Sequence, residues 1–156
     1  MQIAIQPVSL QGNVTAIASK SVAHRMLICA ALSKNACEVV CPTTSEDIEA
    51  TVACLNAMGA EIRHTASGFS VKPISQPQSG ILPCGESGST MRFLIPVVLA
   101  LGCPVSLSMK GRLPYRPLSA LRETVTAHGG RIGEQGKPIL SVDGALTPGE
   151  YVLDAS

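Results

Sequence analysis

A chain of 156 residues with a formal charge of only +1 has no electrostatic surplus that would mark it as a binder of nucleic acid or acidic membrane, so its basic residues must be judged by position. Its 46% hydrophobic content supports a real core, and with aromatics at 3% and no Trp that core is aliphatic. The length suits one domain, or a large piece of a larger protein.

Residues 1–10 alternate like a strand and lack the basic, apolar, small-residue order of a signal peptide. The longest apolar run, 93–105, is too short to span a bilayer and contains Pro96 and Pro104. The expectation is a soluble, cytoplasmic protein with no membrane partner and no nucleic-acid partner. Cys29, Cys37, Cys41, Cys54, Cys84 and Cys103 include no C-x-x-C pair, and most sit among Ala, Val, Ile and Leu. Burial as free thiols in a reducing compartment is expected, with Cys84 set apart because it borders a glycine loop. His24, His64 and His128 show no metal-ligand spacing, so no metal is expected.

In chain order, 2–6 reads as a strand, Gln11-Gly12-Asn13 as a turn and 14–18 as extended. Ser19-Lys20-Ser21 precedes a helix over about 22–33, and 38–41 is a short strand. Thr44-Ser45-Glu46-Asp47 supplies a hydroxyl cap and first-turn acids for a helix running to Met58, which Gly59 ends. Strands at 60–65 and 69–72 form a hairpin across Ala66-Ser67-Gly68. The loop 73–79, rich in Pro, Gln and Ser, is the candidate linker.

The next stretch changes character at Arg92. Gly85, Ser87, Gly88, Ser89 and Thr90 make a pliable, donor-rich loop, and 91–101 reads as a buried helix with Arg92 in its first turn. Backbone N–H groups converging at a helix N-terminus, the helix dipole and a guanidinium fork together suit phosphate or carboxylate. A glycine turn capped by serine before an ordinary core helix remains the plain alternative.

The pattern then repeats. Arg25-Met26-Leu27-Ile28 answers to Arg92-Phe93-Leu94-Ile95 at an offset of 67, and Met58-Gly59-Ala60 answers to His128-Gly129-Gly130 at an offset of 70. The predicted fold class is α/β, built from two copies of a βαβαββ unit, repeat one over about 14–73 and repeat two over about 80–143. Each copy enters its first helix through a small polar loop and carries an arginine in the first turn, Arg25 or Arg92. That duplication favours anion binding. Lys20 adds a mobile charge that a simple cap does not need. A third basic cluster, from Lys110 through Gly111 and Arg112 to Arg116, is stiffened by Pro114 and Pro117 and precedes a helix over about 118–128. A solvated basic turn is its plain alternative.

Ser19-Lys20-Ser21-Val22-Ala23-His24-Arg25, then Gly85-Glu86-Ser87-Gly88-Ser89-Thr90-Met91-Arg92, then Arg116-Pro117-Leu118 resemble the N-terminal part of the 5-enolpyruvylshikimate-3-phosphate synthase family. The resemblance covers essentially the whole chain, although family members are more than twice as long. It implies the enolpyruvyl transferase-like fold, with two domains of three such units each and substrates bound between them. It also implies transfer of the enolpyruvyl group of phosphoenolpyruvate to the 5-hydroxyl of shikimate 3-phosphate, in the shikimate pathway and without a cofactor. By the same resemblance Lys20 matches a lysine touching both substrates, and is the catalytic candidate. Ser21 and Arg25 match binders of shikimate 3-phosphate, Gly88 a glycine whose backbone approaches phosphoenolpyruvate, and Arg116 an arginine holding its phosphate or carboxylate. Ser89 and Arg92 stand close to that site with less defined roles.

Glu86 departs from the asparagine of many members, and is expected to turn away or to pair with an arginine, since an unpaired carboxylate repels an anionic substrate. A Ser-Ser-Gln phosphate-binding motif expected near the C-terminal end is not visible. The chain is therefore expected to be a truncated half-site, inactive alone, whose partner is the remaining C-terminal part of the enzyme, with residues 1–13 packing against the second domain. The related UDP-N-acetylglucosamine enolpyruvyl transferase usually carries asparagine at the position of Ser21 and cysteine at that of Gly111. A non-catalytic anion-binding module is the other alternative.

Overall fold

The computed structural model describes residues 3, 4, 9, 11–14 and 16–152. Most of the strand expected at 2–6 lies outside the described residues, and Ile3 and Ala4 belong to no element. The elements in order are α1 (Lys20–Ala31), β1 (Cys37–Val40), α2 (Glu46–Ala57), β2 (Glu61–His64), β3 (Gly68–Lys72), β4 (Gly80–Gly85), α3 (Gly88–Ala100), β5 (Val105–Met109), a 3-10 turn (Leu113–Tyr115), α4 (Ser119–Ala127), β6 (Gly130–Ile132) and β7 (Ile139–Gly144).

Two sheets result, in the order β1-β3-β2 and β4-β5-β7-β6. The first is antiparallel, with Glu38 facing Ser70 and Arg63 facing Ser70 from the other side. In the second, β4 and β5 are parallel and the remaining pairs antiparallel. The parallel pair is joined through α3, as a parallel connection requires a crossover. β5 shows the one-sided alternation of a sheet with a single buried face: Val105, Leu107 and Met109 are buried, while Ser106 and Ser108 are half-buried. The core joins both sheets and is aliphatic, with Leu27, Ile48, Leu55, Leu82, Leu94, Leu99 and Leu107 at 1% exposure or less. Each such side chain contributes about 1.5–3 kcal/mol of transfer free energy. α2 packs against α1, α3 and β4, so one helix ties the two sheets together.

Local chemistry sets several boundaries. Ser45 Oγ accepts from the Ile48 N–H at 3.4 Å, and Glu46, Asp47 and Glu49 occupy the first turn of α2. Gly59 and Gly129 follow α2 and α4 at φ +105° and +92°, a conformation that favours glycine after a helix. Other expectations need correction. The loop 73–79 is no free linker, because Ile74 N–H donates to Ala31 O and Gln78 N–H to Met58 O. The stretch 14–18, expected as extended, joins no sheet among the described residues, so repeat one lacks the opening strand of the expected βαβαββ order; the Ala18 N–H donates to Thr43 Oγ1 at 2.8 Å. Cys29 and Cys37 are exposed, whereas Cys41, Cys54, Cys84 and Cys103 are buried, and all six are free thiols. Cys29 points away from the α1 core face, which apolar neighbours in sequence do not reveal.

Candidate functional site

Lys20 is the first residue of α1, and Gly88 the first residue of α3. Both helices start earlier than the apolar pattern suggests, because their small polar residues form the first turn itself. Arg25 and Arg92 consequently fall in the second turn, a correction to their expected place. Ser21 and Ser89 lie exposed in the first turns.

The three long helices that precede the basic cluster differ at their N-termini. α2 carries three first-turn carboxylates, whereas α1 and α3 carry none. Cations stand there instead. Ser19 makes no side-chain cap to α1, and Lys20 sits at its start. A β-carbon on Gly88 would lie 2.8 Å from Arg116 Nη1 and 2.9 Å from Arg92 Nη1, so two guanidinium groups press on the first residue of α3. Positive charge at the positive end of a helix dipole is unfavourable until an anion is bound.

The arginines differ in how free they are. Arg92 donates to Pro117 O at 3.0 Å, and Arg25 donates to Ser21 O at 2.8 Å with its guanidinium 4.7 Å from the Phe93 ring centroid. Arg25 thereby reaches α3 next to Arg92. Arg116 is exposed and its guanidinium makes no ion pair or hydrogen bond among the described residues. Its backbone is nonetheless fixed, since Gln135 Nε2 donates to Arg116 O at 2.6 Å and the Gly136 N–H to Pro114 O at 3.1 Å. A cavity of about 350 Å³ is lined by Arg112, Tyr115, Arg116 and Pro117.

Asp47 connects the two loops, a role that its place among the first-turn acids of α2 does not reveal. Its Oδ2 accepts from Lys20 Nζ at 2.8 Å. That hydrogen bond holds the Asp47 carboxyl below its usual range against the opposing effect of burial, with the Lys20 charge and the Ser87 hydroxyl adding to it. A cleft of about 330 Å³ bordered by Glu46, Asp47, Gly85, Glu86, Ser87 and Lys110 opens beside it. No spacing signal could have found Asp47, because it meets Lys20 across 27 residues. Of the expected site residues, Gly88, Arg92 and Arg116 converge directly, and Lys20 joins them through Asp47.

Glu86 pairs with no arginine among the described residues. Its carboxylate lies against Gly111, which has φ +55°. No group of three or more His, Cys, Asp or Glu among the described residues is placed to hold a metal ion, and no helix is long and apolar enough to cross a membrane.

Two sheets, each packed with helices, and helix starts at Lys20 and Gly88 that carry or face cations define an enolpyruvyl transferase-like protein. The fold is that of the enolpyruvyl transferase NikO from Streptomyces tendae, with a TM-score of 0.60 at 16% identity over 88% of this chain and 32% of that one. The EPSP synthase of Acinetobacter baumannii matches at a TM-score of 0.78 and 25% identity, over 93% of this chain and 35% of that one. A family profile for EPSP synthase (3-phosphoshikimate 1-carboxyvinyltransferase) matches residues 5–156, and the chain belongs to that family. Among its relatives, the 3-phosphoshikimate 1-carboxyvinyltransferase of Clostridium kluyveri is 36% identical over 96% of this chain and 36% of its own length. That of Clostridium acetobutylicum is 37% identical over 97% and 37%. The chain thus spans about a third of the length of these relatives.

Proposed function

We propose that this chain supplies the part of a 3-phosphoshikimate 1-carboxyvinyltransferase that collects shikimate 3-phosphate and phosphoenolpyruvate. The single observation carrying the reading is the pair of helix N-termini without acids, each faced by cations, beside an α2 terminus neutralised by its own carboxylates. In this reading Lys20, Ser21 and Arg25 hold shikimate 3-phosphate, with Lys20 also reaching phosphoenolpyruvate as the catalytic candidate. Gly88 offers its backbone and Arg116 its fork to phosphoenolpyruvate, while Ser89 and Arg92 border that anion. No cofactor takes part, and the reaction belongs to the cytoplasm.

The chemistry joins the 5-oxygen of shikimate 3-phosphate to the enol carbon of phosphoenolpyruvate as the 5-hydroxyl gives its proton to a base and the methylene carbon gains one from an acid. Loss of that proton with departure of phosphate then restores the double bond. What these residues contribute is binding and alignment: two anions are drawn together against their repulsion, and hydroxyl faces enol carbon. Asp47, held ionised by Lys20, is no acid at neutral pH. The proton-transfer groups and the rest of the cleft come from the remainder of the enzyme, the proposed partner of this chain.

Calorimetric titration with shikimate 3-phosphate tests the reading. One saturating site is expected, weakened by Lys20→Ala or Arg25→Ala by about 1–3 kcal/mol through a lost charge-assisted contact. Unchanged affinity in both variants would remove the assignment.

A further inference from the structure

The polar side chains that are buried among the described residues, His24, Thr51, Ser87 and Thr90, are all 2% exposed or less, and they form one chain. His24 Nδ1 lies 2.7 Å from Thr51 Oγ1, Thr51 Oγ1 lies 2.7 Å from Thr90 Oγ1, and Thr90 Oγ1 lies 2.7 Å from Ser87 Oγ. The chain passes from α1 through α2 to α3 and ends on the residue that caps α3. His24 stands one turn after Lys20; Ser87 stands immediately before Gly88.

A hydroxyl has a single proton to donate, so the direction of each bond can be counted. Thr90 donates to Ser87 Oγ, which also accepts from the Thr90 N–H at 3.3 Å. Thr90 can then meet Thr51 only as acceptor, and Thr51 must donate to it. With the Thr51 proton so committed, the contact to His24 requires a hydrogen on Nδ1. The competing acceptor, Asp47 O, lies 3.3 Å from Thr90 Oγ1 and 3.4 Å from Thr51 Oγ1, too long to displace three contacts of 2.7 Å. Every bond therefore points the same way, the arrangement in which neighbouring hydrogen bonds polarise and strengthen one another in a dry interior.

We infer that His24 is a positioning residue, fixed as the neutral Nδ1–H tautomer, which through Thr51, Thr90 and Ser87 holds the Gly88 end of α3 in register with the Lys20 end of α1. Its purpose, spacing two anion-binding helix ends, rests on the proposed function. Apolar contacts between α1, α2 and α3 are non-directional and tolerate small slides, whereas an uninterrupted run of 2.7 Å bonds does not. Burial also disfavours the imidazolium, which keeps the ring neutral.

The test is nitrogen-15 NMR of the ligand-free 156-residue chain. The expected histidine spectrum has the His24 hydrogen on Nδ1 and a bare Nε2, together with slowly exchanging hydroxyl protons from Thr51 and Thr90. His24→Asn, whose carboxamide N–H replaces the Nδ1–H, should keep those hydroxyl protons and the Gly88 amide resonance. His24→Leu and the near-isosteric Thr51→Val should lose the hydroxyl signals and shift Gly88. A His24 hydrogen on Nε2, or a Gly88 resonance unmoved in a folded Thr51→Val, would overturn the inference; Thr51→Val also carries the test if His24→Leu does not fold. Failure of shikimate 3-phosphate to bind would instead count against the proposed function, because none of these signals involves the ligand.

Discussion

The Glu86 carboxylate occupies the space that a β-carbon on Gly111 would need. The cost of a side chain at Gly111 is a backbone one, from φ +55°, because Glu86 is exposed and its flexible end can swing aside. Gly111→Ala is expected to destabilise the chain by about 1–3 kcal/mol in urea denaturation. The double variant Gly111→Ala with Glu86→Ala should recover little of that loss, giving a nearly additive cycle. Recovery of most of the loss in the double variant would mean that Glu86 is held rigidly in that space and that the cost is steric.

Gly88 makes an instructive contrast, because its φ is not in the positive region and its close neighbours are the tips of two flexible arginines. Gly88→Ala can be accommodated by swinging those tips outward, and alanine is the better helix former by up to about 1 kcal/mol. Stability should stay level or rise, while phosphoenolpyruvate affinity, measured in a full-length form of the enzyme, should fall at least about tenfold if two charge-assisted contacts are misplaced. Lower stability with intact affinity would contradict the convergence of Arg92 and Arg116 on this residue.

Local signals were legible in the sequence and long-range ones were not. The Ser45 cap, the acids after it and the Gly59 terminator lie within one turn of what they control, so α2 appeared at nearly its observed bounds. The hairpin of β2 and β3 was readable for the same reason. Helix starts at Lys20 and Gly88 were missed because serine, threonine and glycine favour loops by propensity, and tertiary packing of Ala23, Leu27, Met91 and Leu94 draws them into the helix. The basic residues of the site were readable as motifs. Asp47, and the chain from His24 to Ser87, join residues on three helices and leave no periodic trace.

His24 should also give the fold a pH dependence near neutrality. Burial lowers its pKa below the ordinary 6.5, so the unfolded chain takes up a proton before the folded one. Its contribution is complete above about pH 6.5 and is lost as pH falls from there to the folded value, below which it levels off. The slope in that window is at most about 1.4 kcal/mol per pH unit. Urea denaturation between pH 5 and 7.5 should show the slope in the parent chain and its absence in His24→Asn. An equal slope in both would place the titrating group elsewhere.

The chain alone should bind shikimate 3-phosphate without turning it over. Arg116 is exposed and lines one open cleft, and the largely exposed Lys20 lines another, so water is not excluded and their charges act through a high dielectric. Proton transfer needs a group that changes protonation state, and two of the carboxylates bordering the site are poorly suited: Asp47 is held ionised by Lys20, and Glu86 lies against Gly111. Binding energy from one face of a cleft can align substrates but cannot supply the acid and base that addition and elimination require. Adding the remaining two thirds of a relative as a separate polypeptide should restore turnover if docking rebuilds the cleft. The assay is phosphate release from phosphoenolpyruvate with shikimate 3-phosphate, with and without that second piece. Steady release by the purified 156-residue chain would show that Lys20 or another group within it performs the proton transfers unaided.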